Sequence, residues 1–235
     1  MRHRLIFLPL LWAAVSLTAQ TTSTQDVEIT AEPHHHLALE NEFVRVFKVY
    51  VPPHADSLMH WHRHDYVFVT LGASEVSNDV QGKPPVTLKL QDGETRFISG
   101  NFAHIARSLS DQPFRNVTIE LLQDERNKSR SESKNDRGVT ILQGGTRDVL
   151  FVKDGVKTTD VQLSPGAIIP WHHHAYPHLV VAVSDLELKG DNADGTASSM
   201  MKLSAGDIQW VPAGATHTVT NVANHPARYI ALEFQ

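Results

Sequence analysis

The sequence of 235 residues contains no cysteine. Disulfide bonds, thiolate metal ligands, a catalytic thiol and cysteine lipidation are therefore excluded, and the core alone has to hold the fold. Basic residues are in deficit, with 21 lysines and arginines against 26 acidic residues and a formal net charge of −5. This balance argues against a nucleic-acid partner and provides no basic patch for anionic lipid. Any bound metal must use nitrogen and oxygen ligands.

A hydrophobic run long enough to span a membrane is also lacking. Arg2 and Arg4 precede an apolar stretch over residues 5 to about 15, and small residues follow it. A membrane helix needs about 20 apolar residues, so this order is typical of a secretory signal peptide. The alternative is an uncleaved anchor. We predict a signal peptide over residues 1–19 and a secreted or periplasmic protein that keeps no stable membrane span after cleavage. Its net charge without Arg2 and Arg4 would be −7.

Histidine, in contrast, is abundant, with 15 copies, and many of them lie in two similar halves. The stretch KLQDGETRFISGNFAH ends at His104, and KLSAGDIQWVPAGATH ends at His217, 113 residues later. Upstream, two His-x-His pairs at 60–62 and 172–174 correspond with an offset of 112 residues. These ordered matches indicate a duplication into two homologous halves rather than an array of many units.

The apolar runs within each half are short and rich in β-branched and aromatic residues, as in VRVFKVYV, HLVVAVS and ARYIALEF. Turn residues separate them every eight to twelve positions, which predicts an antiparallel all-β fold. Residues 123–137 are polar and highly charged, so we predict a linker there. The remaining boundaries are a leader over 20–40, a first domain over 41–122 and a second domain over 138–235.

The histidine pairs have the spacing of side chains that share one face of a strand. His60 and His62 therefore point the same way, as do His172 and His174, whereas His173 points to the opposite face. Same-face imidazoles can converge on one metal ion when neighbouring strands supply further ligands.

The stretch GDIQWVPAGATHTVTN resembles the second motif of the cupin superfamily at every motif position, namely Gly206, Pro212, Gly214, His217 and Asn221. The stretch before it resembles the first cupin motif. Gly166 leads by five residues to His172 and His174, and His178 stands where the family has glutamate.

The first half resembles the same motifs more loosely. His60, His62 and His104 are retained, while Tyr66 occupies the glutamate position, with Asp65 one residue earlier. The resemblance implies a bicupin, in which two double-stranded β-helix (jelly-roll) barrels lie in tandem and each holds a metal in its mouth.

The resemblance also implies two sets of metal ligands: His172, His174, His178 and His217 in the second half, and His60, His62 and His104 in the first half, with Asp65 or Tyr66 as a fourth. Neutral imidazole suits a divalent transition metal such as Fe, Mn, Cu, Ni, Co or Zn. Four ligands close a tetrahedral zinc site, but they leave two open positions in an octahedral site. The sequence leaves both arrangements open.

Three acidic residues are candidate catalytic bases: Glu233, Glu120 and Asp65. The more common role for a glutamate on a terminal strand is simple surface exposure. The dense cluster PHHH, at residues 33–36, is expected to be a solvated segment ahead of the first strand.

We predict a metal-dependent oxidoreductase, similar to the cupin dioxygenases, that acts on a small oxygen-chelating substrate. The alternative is a non-catalytic protein that binds a metal ion, a small oxyanion or a carbohydrate. A carboxylate placed inside a barrel would favour the enzyme. Histidine at the position of the family glutamate puts an oxalate-type mechanism in doubt. A homodimer is the expected assembly.

Overall fold

The computed structural model describes residues 26–123 and 137–235. The predicted signal peptide and almost all of the predicted linker lie outside the described residues. The described part contains twenty strands and one turn of 3₁₀ helix, so the all-β prediction is confirmed. None of the helical segments in this part is long and apolar enough to cross a membrane.

The first half forms two five-stranded sheets, with the orders β1-β4-β9-β6-β7 and β2-β3-β10-β5-β8. Their strands are β1 (Val27–Glu28), β2 (His35–Glu40), β3 (Val44–Val51), β4 (His60–His62), β5 (Tyr66–Thr70), β6 (Ser74–Val80), β7 (Val86–Leu90), β8 (Thr95–Ile98), β9 (Phe102–Ser108) and β10 (Phe114–Leu121). The 3₁₀ turn spans Ile29–Ala31.

The second half forms a six-stranded sheet, β11-β12-β13-β20-β15-β18, and a four-stranded sheet, β14-β19-β16-β17. Their strands are β11 (Gly138–Leu142), β12 (Gly145–Lys153), β13 (Val156–Leu163), β14 (Ile168–His173), β15 (His178–Ala182), β16 (Leu186–Asn192), β17 (Ser199–Leu203), β18 (Ile208–Val211), β19 (Thr216–Asn221) and β20 (Ala227–Phe234).

The two sheets of each half face each other across a core of their own. In the first half, Phe47 and Val49 of one sheet pack with Val76 and Ala106 of the other. This is the jelly-roll barrel that the sequence predicts, and alternation along each strand points every second side chain into it.

The first barrel begins earlier than predicted, because residues 26–40 belong to it. β1 pairs in parallel with β4, and β2 pairs antiparallel with β3 on both sides of a bulge between Leu37 and Leu39. Ile29 is only 2% exposed and lies in the core of the first barrel. The leader predicted over 20–40 is therefore wrong for its described part. Backbone pairing and one buried side chain order a segment whose composition looks solvated.

A third apolar core joins the two barrels. Val46 and Ile119 of the first barrel lie in one buried cluster with Leu179, Ile230 and Leu232 of the second. In β3, alternate side chains therefore face the barrel interior and the neighbouring barrel. That double burial explains why VRVFKVYV is apolar on both faces over most of its length.

Candidate metal centres

Three histidines of the second barrel converge on one point. His172 on β14 lies opposite His217 on β19, and His174 follows the end of β14. The Nε2 atom of His174 is 3.0 Å from that of His172 and 3.1 Å from that of His217. One nitrogen from each ring lies within 4.8 Å of the other two. The His-x-His spacing thus gives the predicted convergence.

The protonation of this triad suits a bound cation. His172 donates its Nδ1 proton to the Pro170 carbonyl at 2.8 Å, so its Nε2 carries a lone pair aimed at the other rings. Burial lowers the pKa of all three histidines, that of His174 to about 3. Neutral imidazoles whose second nitrogen is fixed by a carbonyl are the usual form of metal ligands. The residues therefore fit a divalent transition metal.

His178, the predicted fourth ligand, lies beside the triad. Its ring stacks on that of His174, with centroids 4.1 Å apart and planes inclined by 22°, and it lies outside the three-nitrogen group. In the first barrel, Tyr66 stacks on His62 in the same way, at 4.2 Å and 18°. The position that the family gives to glutamate supports the second histidine of each pair here.

The triad opens into a cavity of about 280 Å³ in the second barrel. Glu233 lies in its wall, between Lys157 on β13 and His178 on β15 in the strand register. Most of the remaining wall is apolar, with Met200 and Met201 among its side chains. Of the three candidate bases, Glu233 is the one that lines a cavity.

Arg147 also lines this cavity, and the sequence analysis missed it. The guanidinium has no hydrogen-bond or ion-pair partner among the described residues. After burial and the neighbouring histidines, its positive charge further lowers the pKa of His174. The pairing of β12 with β13 places Arg147 opposite Val161 and so at the cavity. Nothing in the sequence around Arg147 distinguishes it from a surface arginine.

The first barrel contains a matching cluster. His60 on β4 lies opposite His104 on β9, and the Nε2 atoms of His62 and His104 are 3.1 Å apart. His60 donates to the Leu58 carbonyl at 2.8 Å, just as His172 donates to Pro170 in the second barrel. Burial lowers the pKa of His60 to about 4.

A fourth histidine completes the first cluster, and it comes from the predicted leader. His35 on β2 has a ligand nitrogen within 4.8 Å of those of His60 and His62. The expectation that PHHH is a solvated segment is therefore wrong for His35, although His36 is exposed. Alternation along HHLALE could not have found it, because Leu37, two residues after His35, is 55% exposed and a bulge interrupts the pairing between Leu37 and Leu39.

The other two candidate bases lie outside the first cavity. The Asp65 carboxylate accepts a hydrogen bond from the Gly100 amide at 2.7 Å and so fixes a turn. Glu120 is 1% exposed and lies 3.4 Å from the Arg45 guanidinium, which closes off its carboxylate. Neither residue lines the cavity of about 90 Å³ beside the first cluster. Their prediction as catalytic bases has no support in this geometry.

No family model and no curated protein matches the sequence. Among solved structures, the fold is similar to oxalate decarboxylase from Bacillus subtilis at pH 4.6, with a TM-score of 0.59 and 14% identity over 83% of this chain and 68% of that one. A serine-to-alanine mutant of that enzyme gives a TM-score of 0.60 and 14% identity over 88% and 76%. A structure from work on the Mn(II) centres of that enzyme gives 0.59 and 13% over the same shares. The chain therefore has the fold of these structures, with two jelly-roll barrels in tandem.

Proposed function

We propose that the protein is an exported, metal-dependent oxidoreductase whose active site is the cavity of the second barrel. The observation that carries this proposal is the meeting of three convergent histidines, His172, His174 and His217, with the carboxylate of Glu233 in one open cavity. A site for binding alone needs no carboxylate beside the ligand. The first cavity, which has none among its lining residues, is of that kind.

The substrate should be a small anion that chelates through oxygen. Three neutral imidazoles leave the charge of a divalent cation uncompensated, and Arg147 and Lys157 add two positive charges to the same cavity. Neither cationic side chain has an ion-pair partner among the described residues. The apolar wall suits a substrate with a hydrocarbon body, and about 280 Å³ limits it to a small molecule.

Each group in the cavity has a separate task. A metal ion held by the triad would supply Lewis acidity and a position for chelating oxygen atoms. Glu233 accepts the proton that a hydroxyl or enolisable carbon of the substrate loses on chelation. Arg147 orients the resulting anion. In a dioxygenase-type reaction, dioxygen takes four electrons from the bound anion, two of them from the carbon–carbon bond that breaks, and its two atoms end in the cleaved products.

The first test measures bound metal and oxygen uptake with the tag-free protein over residues 20–235. Elemental mass spectrometry should find metal in the second barrel that the His172→Ala, His174→Ala double variant loses. The matched control is His173→Ala, because His173 is exposed and bonds to Thr216 instead. Oxygen uptake is then assayed with diketones, flavonols and small dicarboxylates. Absence of metal after reconstitution would refute the proposal, and tight ligand binding without turnover would identify a binding protein.

The anionic nature of the substrate has its own test. Replacing Arg147 with glutamine should weaken the binding of a small carboxylate such as oxalate by roughly 10-fold or more, since a hydrogen bond to a charged group contributes about 1.5–3 kcal/mol. Titration calorimetry of the metal-loaded protein measures this change. Arg107→Gln is the control, because Arg107 pairs with Asp56 in the other barrel. Equal affinity in both variants would exclude Arg147 as the anion contact.

A further inference from the structure

The two barrels carry different residues at one equivalent position. His35 lies opposite Val49, and Val49 lies opposite Asn116 on the last strand of the first barrel. Arg147 lies opposite Val161, and Val161 lies opposite Tyr229 on the last strand of the second. Asn116 and Tyr229 are 113 residues apart, the offset of the duplication. Where the second barrel places a guanidinium, the first therefore places an imidazole.

A buried carboxylate fixes the orientation of His35. The Nδ1 atom of His35 donates to Glu32 at 2.5 Å, and Glu32 is 1% exposed. The same carboxylate accepts the backbone amides of His34 at 2.8 Å and Leu58 at 3.1 Å. Glu32 thus ties His35 to the loop before β4. With Nδ1 engaged, the free nitrogen of His35 is Nε2.

One ring of the cluster presents a buried nitrogen that lacks a hydrogen-bond partner. His60 is fully buried, its Nδ1 bonds to Leu58, and its Nε2 has no partner among the described residues. His104 is anchored in the same manner, because its Nδ1 lies 2.5 Å from Asn78 Oδ1. A buried imidazole nitrogen without a partner is costly unless a ligand satisfies it.

The ring separations match imidazoles that share one ion. Metal–nitrogen bonds of about 2.0–2.1 Å place two ring centroids about 4.5 Å apart at right angles and about 6.4 Å apart on opposite sides. The centroid of His60 lies 4.6 Å from that of His35 and 4.6 Å from that of His104. His62 lies 5.0 Å from His104 and 6.3 Å from His35.

We propose that the first barrel holds a second, structural divalent metal ion, with His35 as the fourth ligand beside His60, His62 and His104, and Glu32 as the residue that positions His35. The adjoining cavity, about 90 Å³, is about a third of the size of the cavity in the second barrel and has no carboxylate in its lining, which favours a structural role for the ion. The ion clamps β2, which lies at the edge of its sheet, onto β4 and β9 of the facing sheet. Imidazole suits divalent transition metals such as Zn²⁺ and Co²⁺, and the near-perpendicular and near-opposite rings of this cluster set octahedral-type rather than tetrahedral angles.

The experiment uses the His172→Ala, His174→Ala protein, so that the second barrel contributes no metal and its proposed chemistry plays no part. This background should retain one equivalent of Zn²⁺, and adding His35→Ala should lower its affinity by at least 100-fold. His36→Ala is the matched control, since His36 is the next residue on β2 and is exposed. Glu32→Gln should weaken the affinity by roughly 10- to 100-fold, as loss of an outer partner of a ligand does.

Two measurements keep the result decisive if the His35 variant is poorly folded. Circular dichroism compares it with the metal-free parent, and Co²⁺ absorption reports the number of nitrogen ligands directly. A four-nitrogen spectrum that changes in His35→Ala but not in His36→Ala supports the proposal. Unchanged Zn²⁺ affinity and an unchanged Co²⁺ spectrum in His35→Ala would overturn it, as would the absence of metal from the background protein.

Discussion

At the scale of single residues, the two barrels differ at a few equivalent positions that face their interiors. A row across one sheet reads Arg45, Glu120 and Tyr66 in the first barrel, and Lys157, Glu233 and His178 in the second. Arg45 reaches the Glu120 carboxylate at 3.4 Å, whereas no ion pair joins Lys157 to Glu233 in the described structure. The glutamate of this row is therefore paired with an arginine in the first barrel, and it lines a cavity in the second.

The place of His178 leads to a prediction about the ligand count. His178→Phe keeps a ring that can stack on His174, so the second barrel should still bind one equivalent of metal with an affinity within about tenfold of the unchanged protein. His217→Ala removes a member of the triad and should abolish that equivalent. Elemental analysis after dialysis compares the two. Loss of metal in His178→Phe would show that His178 is a metal ligand.

The buried carboxyl group of Glu120 predicts a pH dependence of stability. Burial raises the pKa of Glu120 above its ordinary value of 4.5 and outweighs the opposing charges of His64 and Arg45. A raised pKa means that the protonated form stabilises the fold, and this contribution is lost as pH rises through the folded-state pKa. Arg45 keeps a second partner, Glu40, at 2.9 Å.

Glu120→Gln should therefore gain unfolding free energy relative to the unchanged protein as pH rises from about 4.5 toward neutrality. Urea denaturation at a series of pH values measures the difference. A relative gain by the unchanged protein over the same range would show that the ion pair with Arg45 dominates instead.

At the scale of secondary structure elements, residues 26–40 are part of the first barrel. β2 covers one edge of its sheet, and the 3₁₀ turn inserts Ile29 into the core. The sequence of β2 does not show a buried face, because its three apolar residues are consecutive and four of its six residues are exposed in the structure. The segment is ordered by backbone pairing with β3, which is set by the partner strand.

Truncation of Ile29 tests that assignment. Ile29→Ala should lower the free energy of unfolding by about 2–4 kcal/mol, the usual cost of a cavity at a buried isoleucine. Leu37→Ala is the control on β2, because Leu37 is 55% exposed and a surface change costs about 0.5 kcal/mol or less. Chemical denaturation gives both values. Equal, small effects would mean that the segment does not contribute to the core.

At the scale of the whole molecule, the two barrels pack against each other through a shared apolar core. The shared cluster contains outward-facing side chains from both, and ion pairs such as Lys48 with Asp207 at 2.6 Å lie at its margin. The homodimer stays a prediction. Export to the periplasm or medium likewise rests on the N-terminal sequence alone.

The shared core predicts that unfolding is one cooperative transition. Leu179 is fully buried in it, so Leu179→Ala should cost about 2–5 kcal/mol and should raise amide hydrogen exchange in β5 of the first barrel together with β15 of the second. Mass spectrometry resolves the two strands. Val222→Ala, at a residue 44% exposed, is the control. Faster exchange confined to β15 would show that the barrels unfold separately.

The sequence by itself determined the all-β class, the duplication and the histidine pairs that converge in each barrel. Those features depend on local spacing, since a period of two fixes which side chains share a strand face. The tertiary structure decided the rest. Strand register brought His35 and Arg147 to equivalent positions, stacking placed the His178 ring against that of His174, and closure by Arg45 separated Glu120 from Glu233. These depend on contacts between residues far apart in the chain, which local spacing does not encode.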